Sequence, residues 1–277
     1  MNTHDGHSKP SIGAIVALLA FLLAGACGGG CSSSAPGTRW SRHFDGAVWG
    51  GALEQQVARP DRLVPEAVLL AAIPAGFAYD TDIQEHEENR GVSPTTKNAA
   101  NALQVVAAAI PVTIGAVDWA GGDGGRHLEV VAESLLGVVA VQQILGRTVG
   151  RERPNHKDDR SFPSGHTSWS FAATTLIVRD LHDPSDSSFH PVDVLLYAPA
   201  IFTGWERIAS NRHWTSDVAC GALLGVFLTN WIWDAHYRSD QETRPGIFME
   251  DRPHGITLSP SLDLVEGGFV LGIKLGF

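Results

Sequence analysis

At 277 residues with 44% hydrophobic side chains, the chain can bury one large core and still carry short appendages. A net charge of −10, from 20 basic and 30 acidic residues, excludes the basic stripe a nucleic-acid partner would need. A mean hydropathy of +0.00 is lower than polytopic membrane proteins usually show, and it leads to the expectation of a water-soluble or peripheral helical bundle.

The chain opens with Lys9 and an apolar run from Ile12 to Ala24, too short to span a bilayer comfortably. Small residues Ala24-Gly25-Ala26 then lead into Cys27, which resembles a bacterial lipoprotein cleavage site. The leucine usual three residues before the cysteine is replaced by Ala24. Residues 1–26 are therefore expected to be a signal peptide, with lipidation at Cys27. The mature chain would lie in the cell envelope, periplasmic or anchored to the membrane through its N-terminus. An ordinary signal peptide cut nearby, or an uncleaved anchor, are the alternatives. Residues 27–60 read as a tether and N-terminal extension, rich in Gly, Ser and Pro up to Thr38. Cys31 and Cys220 supply no disulfide framework.

Residues 61–240 read as an all-α domain, a bundle of about six helices with the site between them. Pro65 to Tyr79 is the first apolar segment, interrupted by Pro74, and Asp80 to Ser93 reads as a polar loop. In that loop Glu85-His86-Glu87 lacks a second histidine, Arg90 standing in its place, so a solvated charge run is the reading. Thr95 to Trp119 is an Ala-rich helix bent or broken near Pro111, and Gly121 to Gly125 form a turn. Helices follow at His127 to Leu145, His166 to Asp180, Asp193 to Ile208 and Trp214 to Tyr237. Glu129, Glu133, Gln142, Gln143 and Asn230 interrupt their apolar stretches, which argues against a lipid setting. Residues 241–277 form a C-terminal extension. Alternating apolar residues on both sides of Glu266-Gly267-Gly268 predict a β-hairpin packed on the helical body.

Three segments carry chemistry. They are Gly150-Arg151-Glu152-Arg153-Pro154, Phe162-Pro163-Ser164-Gly165-His166, and Glu206-Arg207 followed by Asn211 to Asp217. Phosphoryl transfer asks a protein mainly to position the group and to spread positive charge around its oxygens. Arg153 and Arg207 each offer a fork of donors. Ser164 and Gly165 open a helix, where free N–H groups and the helix dipole favour an anion. His213 can attack phosphorus as a neutral imidazole, with Asp217 one turn on to hold its other ring nitrogen. His166 is placed to protonate the leaving oxygen as general acid.

These residues resemble the type 2 phosphatidic acid phosphatases, together with the bacterial acid phosphatases and vanadium haloperoxidases that share their scaffold. The family pattern is Lys, six residues, Arg-Pro; then Pro-Ser-Gly-His; then Ser-Arg, five residues, His, three residues, Asp. Arg153-Pro154, Pro163 to His166, Arg207, His213 and Asp217 match in order and spacing. The resemblance covers about Pro65 to Tyr237. It implies a helical bundle, metal-independent phosphatase chemistry without a cofactor, and a phosphohistidine at His213. The substrate would be a phosphomonoester or pyrophosphate, of a small molecule or a lipid. Two positions depart: the family Lys falls on Gly146 and the family Ser on Glu206. Arg147, beside Gly146, is expected to swing into the phosphate site and supply the lost charge. The alternatives are a weakened scaffold that binds phosphorylated lipid or a partner protein, and a vanadate-dependent haloperoxidase. A metal hydrolase is disfavoured, since His156, His182 and His190 show no ligand spacing.

Overall fold

A computed structural model describes residues 45–88, 91–122, 125–182 and 187–237, and the backbone pairing of 257–265 with 268–276. The helices are α1 (Gly46–Ala58), α2 (Pro60–Glu88), α3 (Pro94–Ala120), α4 (Arg126–Val149), α5 (Gly165–Leu181), α6 (Asp193–Leu196), α7 (Ala198–Ala209) and α8 (Thr215–Tyr237). Local chemistry fixes their ends. Ser93 caps α3 by accepting from Thr96 N at 3.1 Å, with Pro94 at the first helical position, where its missing N–H costs nothing. Gly150 ends α4 at φ 60°, a left-handed conformation that glycine adopts without strain.

α8 lies at the centre, against α1, α2, α4 and α5. Val130, Val138, Leu176 and Trp233 fill the core between α4, α5 and α8. The crossing of α5 over α8 is close. A Cβ at Gly221 would stand 2.6 Å from the Ser164 carbonyl oxygen, and one at Gly225 would stand 2.4 Å from that of Ser168. Those two glycines let the start of α5 settle onto the start of α8, which joins the second and third chemical segments.

Several elements differ from the sequence expectation. α2 runs through Pro65 and Pro74 and on to Glu88, so the expected polar loop is its last two turns. Asp80, Gln84 and Glu87 recur at helical spacing and are buried, because the surface they meet is itself polar. α3 passes Pro111 without a break, and the expected helix from Asp193 to Ile208 is split into α6 and α7. Part of the N-terminal extension is the helix α1, which Trp231 Nε1 ties to the body by donating to Trp49 O at 2.9 Å. At the C-terminus β1 (Thr257–Val265) pairs antiparallel with β2 (Gly268–Gly276). Side chains there lie outside the described residues, and so does the expected packing of this ladder on the helices. The leader, Cys27 and the tether also fall outside them.

The expectation of a water-soluble or peripheral bundle gives way to a membrane protein. α2, α3, α4 and α8 are long and apolar enough to cross a membrane, and in the first three only 17, 28 and 33% of the apolar stretch is buried. Val68, Leu70, Val105, Val106, Leu136 and Ile144 point outward and are more than half exposed. Such a belt is stable against hydrocarbon and a liability in water. Of the polar residues that argued otherwise, Gln143 stays exposed, and three others have partners within the bundle. Asn230 Oδ1 accepts from Arg179 Nε at 2.9 Å, Glu133 pairs with His236 at 2.7 Å, and Gln142 Nε2 donates to Pro163 O at 3.1 Å. Paired in this way, they no longer count against a lipid setting.

Candidate active site

All three chemical segments meet at one end of the bundle, where α4 and α7 end and α5 and α8 begin. Backbone bonds pin the loop from Gly150 to Ser164: Ser161 N donates to Arg151 O at 2.9 Å, Arg153 N to Asp158 O at 3.0 Å, and Ser164 N to Asp217 O at 3.0 Å. The Phe162–Pro163 peptide is cis. After α7 the chain turns through Asn211 at φ 57°, a conformation asparagine tolerates. Arg212 N and His213 N both donate to Arg207 O, at 3.1 and 3.2 Å. Arginine and histidine are thereby held on one turn.

His213 is 3% exposed. Its Nδ1 lies 2.6 Å from Ser161 O, and a carbonyl only accepts, so Nδ1 carries the hydrogen and Nε2 the lone pair. Nε2 faces Arg153, whose guanidinium donates to it at 3.2 Å. Burial first, then the charge of Arg153, pushes the His213 pKa down to about 3. The ring is neutral at any ordinary pH. Arg153 also donates to Asp158 Oδ1 at 2.6 Å and to Arg212 O at 3.0 Å. Asp158 is held below the usual carboxylate range mainly by that bond.

Arg207 is 1% exposed. It pairs with Glu206 and donates to Asn101 Oδ1 at 3.2 Å, while Nε and one terminal nitrogen have no hydrogen-bond partner among the described residues. Buried donors left open are costly, and an incoming anion would satisfy them. His166, in the first turn of α5, is partly buried, and its pKa is pushed down to about 4 by burial and then by Arg207, Arg212 and Arg153. A phosphate dianion among these groups would reverse that field and raise its proton affinity.

Arg153, Ser164, Gly165, His166, Arg207, His213 and Asp217 are thus brought together, with two differences from the expected contacts. Asp217 does not hold the His213 ring: its oxygens accept from Arg151 at 2.6 Å, from Trp214 N at 2.9 Å and from the Ser161 hydroxyl. The Ser161 carbonyl takes the place expected for it. The Ser164 N–H is also occupied, by Asp217 O, and the N–H groups that open α5 are those of Gly165 and His166.

Arg147 is a correction. It lies exposed on the outer face of α4, and its guanidinium donates to Gln143 O of its own helix at 3.4 Å. Gly146 faces inward, where a Cβ would meet Phe162 O at 3.4 Å. One residue on a helix turns the side chain by about 100°, and α4 does not unwind early enough to undo that. Sequence reasoning gave no role to Asp80, Arg151, Ser161 and Arg212. Arg151 and Arg212 lie inside the motif segments, and Ser161 directly precedes one. Asp80 gave no signal, since nothing local distinguishes it from a solvated acid. Arg212 is exposed beside His213, and its charge acts on both His166 and Arg207.

Comparisons with known proteins agree with the motifs. Residues 130–241 match the family model of the PAP2 superfamily. The matched stretch carries all three motifs. Over 92 residues, 32% of this chain, it is 45% identical to the lipid A 1-phosphatase of Porphyromonas gingivalis, covering 20% of that protein. Over 81 residues, 27% of the chain, it is 35% identical to the probable lipid phosphate phosphatase 4 of Arabidopsis thaliana, covering 26% of that protein. The matches therefore span only 20 and 26% of these relatives' lengths. Among solved structures, the transmembrane PAP2 type phosphatidylglycerolphosphate phosphatase of Bacillus subtilis aligns over 65% of this chain and 95% of its own, at 18% identity and a TM-score of 0.46. The PAP2 match stops at residue 241, so it lends the C-terminal ladder no support.

Proposed function

We propose that this protein is a lipid phosphate phosphatase that works without metal through a phosphohistidine on His213. The observation that carries this reading is the pairing of a neutral, Nδ1-protonated His213 with two buried, unsatisfied donors on Arg207. Nε2 attacks phosphorus as the bond to the leaving oxygen breaks, and His166, charged by the arrival of the phosphate dianion, gives its proton to that oxygen. Water then attacks the phosphohistidine, His166 takes the proton, and free phosphate leaves. Arg153, Arg207 and the N–H groups of Gly165 and His166 hold the equatorial oxygens. In the resting site Arg153 covers the Nε2 lone pair, so binding must draw that guanidinium onto the phosphate.

The position of the site supports a lipid substrate. Loops at one end of helices long and apolar enough to cross a membrane would hold a phosphate near the boundary between lipid and water, the level of a phospholipid headgroup. Both curated relatives carry names of lipid phosphatases. Export of the N-terminus and lipidation at Cys27 belong to the same reading, and would put the chain in the cell envelope. The test is phosphate release from a panel of lipid and soluble phosphates by protein in detergent, with chelator and with vanadate. Release that survives chelation and is blocked by vanadate is expected. Activity lost to chelator and restored by zinc or magnesium would overturn the mechanism.

A further inference from the structure

Asp217 is turned away from the nucleophile, and what it does instead leads outward through the protein. Its Oδ1 accepts from Arg151 at 2.6 Å. The same guanidinium donates to Ser216 Oγ at 2.6 Å and to Asp80 Oδ2 at 2.7 Å, and it sits over the rings of Phe77 and Trp214 at 4.9 and 5.3 Å. Asp80 in turn accepts from Ser216 N at 2.9 Å and from Ser216 Oγ at 2.5 Å. The chain of bonds closes on Ser161, whose N–H donates to Arg151 O and whose hydroxyl donates to Asp217. Asp80, Ser161, Ser216 and Asp217 are all buried, so water does not compete for these bonds.

We propose that Asp80 and Arg151 are positioning residues for His213. They act through Asp217 and Ser161, whose carbonyl decides which ring nitrogen carries the hydrogen. The proposal rests on the phosphatase reading for its kinetic consequence, though its structural claim concerns the imidazole alone. It brings α2 into the site, although Asp80 lies outside the segment that matches the superfamily. Cation–π contact with two aromatic rings favours this position of the guanidinium, where it bridges two carboxylates that would otherwise repel each other. A lysine would keep the charge and lose the fork.

Two measurements on Arg151→Ala, Arg151→Lys and Asp80→Asn test this. In histidine-labelled protein in detergent, the nitrogen shifts of His213 are assigned by the signal lost in His213→Gln. The wild type should show the Nδ1–H form, and Arg151→Ala a mixture of both. In turnover of a lipid phosphate, Arg151→Ala should lose about 100-fold in kcat, the scale of a small misplacement of a reacting group. KM and vanadate inhibition should stay within about threefold, because the phosphate-holding arginines are untouched. Arg151→Lys should recover part of kcat, and Asp80→Asn should fall between. An unchanged His213 tautomer in Arg151→Ala overturns the proposal, as does a loss of vanadate binding equal to the loss of kcat. A wild type with the Nδ1–H form and no phosphate release would instead overturn the phosphatase reading alone.

Discussion

Glu206 occupies the position where the family pattern has serine, fully buried and paired with Arg207. Its carboxylate neutralises the guanidinium in the empty site and repels an arriving phosphate from behind it. At about 8 Å and an effective dielectric of about 20, each phosphate charge is opposed by about 2 kcal/mol. Relaxation removes part of this, so Glu206→Gln, which keeps the shape and one acceptor, should tighten vanadate inhibition by at least about tenfold. The empty protein should lose stability at the same time, because a buried charge stripped of its partner costs about 3–5 kcal/mol. Bound anion restores that loss, and vanadate should therefore raise the melting temperature in detergent by more in the variant than in the wild type. Unchanged or weaker inhibition in a folded Gln variant would refute the reasoning, and would mean that Glu206 orients Arg207 and does not compete with phosphate.

Arg147→Ala should leave kcat/KM within about twofold, since that side chain faces away from the site. Gly146→Lys should raise it about tenfold, a modest share of what one preorganised donor supplies, because a Cβ at Gly146 meets its neighbours at ordinary contact distances of 3.4 and 3.7 Å. Gly225→Ala should cost at least about 2 kcal/mol in unfolding and lower activity with it, because the new Cβ would press on the α5 backbone. His213 and His166 titrate at about 3 and about 4 in the folded state, below the unfolded value near 6.5. The unfolded chain therefore binds more protons across that window, and stability should fall as pH drops from about 6.5 towards 4. Melting at pH 5 and pH 7 checks this, with a flatter slope expected in His213→Gln.

The residues gathered at the candidate site were legible because their spacing is local: Pro163 to His166 and Arg207 to Asp217 each lie on a helix terminus that short sequence signals mark. Most helix boundaries from His127 onward were legible for the same reason, the break between α6 and α7 and the end of α4 excepted. What escaped depended on contacts far apart in the chain. The stretch after Asp80 reads as a loop by polarity, yet it is a helix whose polar face meets Ser216 and Asn211. The bilayer was hidden because the mean hydropathy averages four apolar helices with polar termini and loops, and because Asn230 and Glu133 find partners that no local pattern announces. Arg147 was misplaced by trusting proximity in sequence over direction on a helix. Asp217 was assigned to the nucleophile because it lies one turn away, and the nearer Ser161 carbonyl took that bond.

The central claim is that His213 becomes phosphorylated during turnover. Rapid quench of the wild type with a phosphate-labelled lipid substrate, followed by acid and base treatment, tests it most directly. An acid-labile, base-stable adduct that maps to His213 and is missing from His213→Ala is the expected result. An adduct on a serine, or undiminished turnover in His213→Ala, would contradict the account.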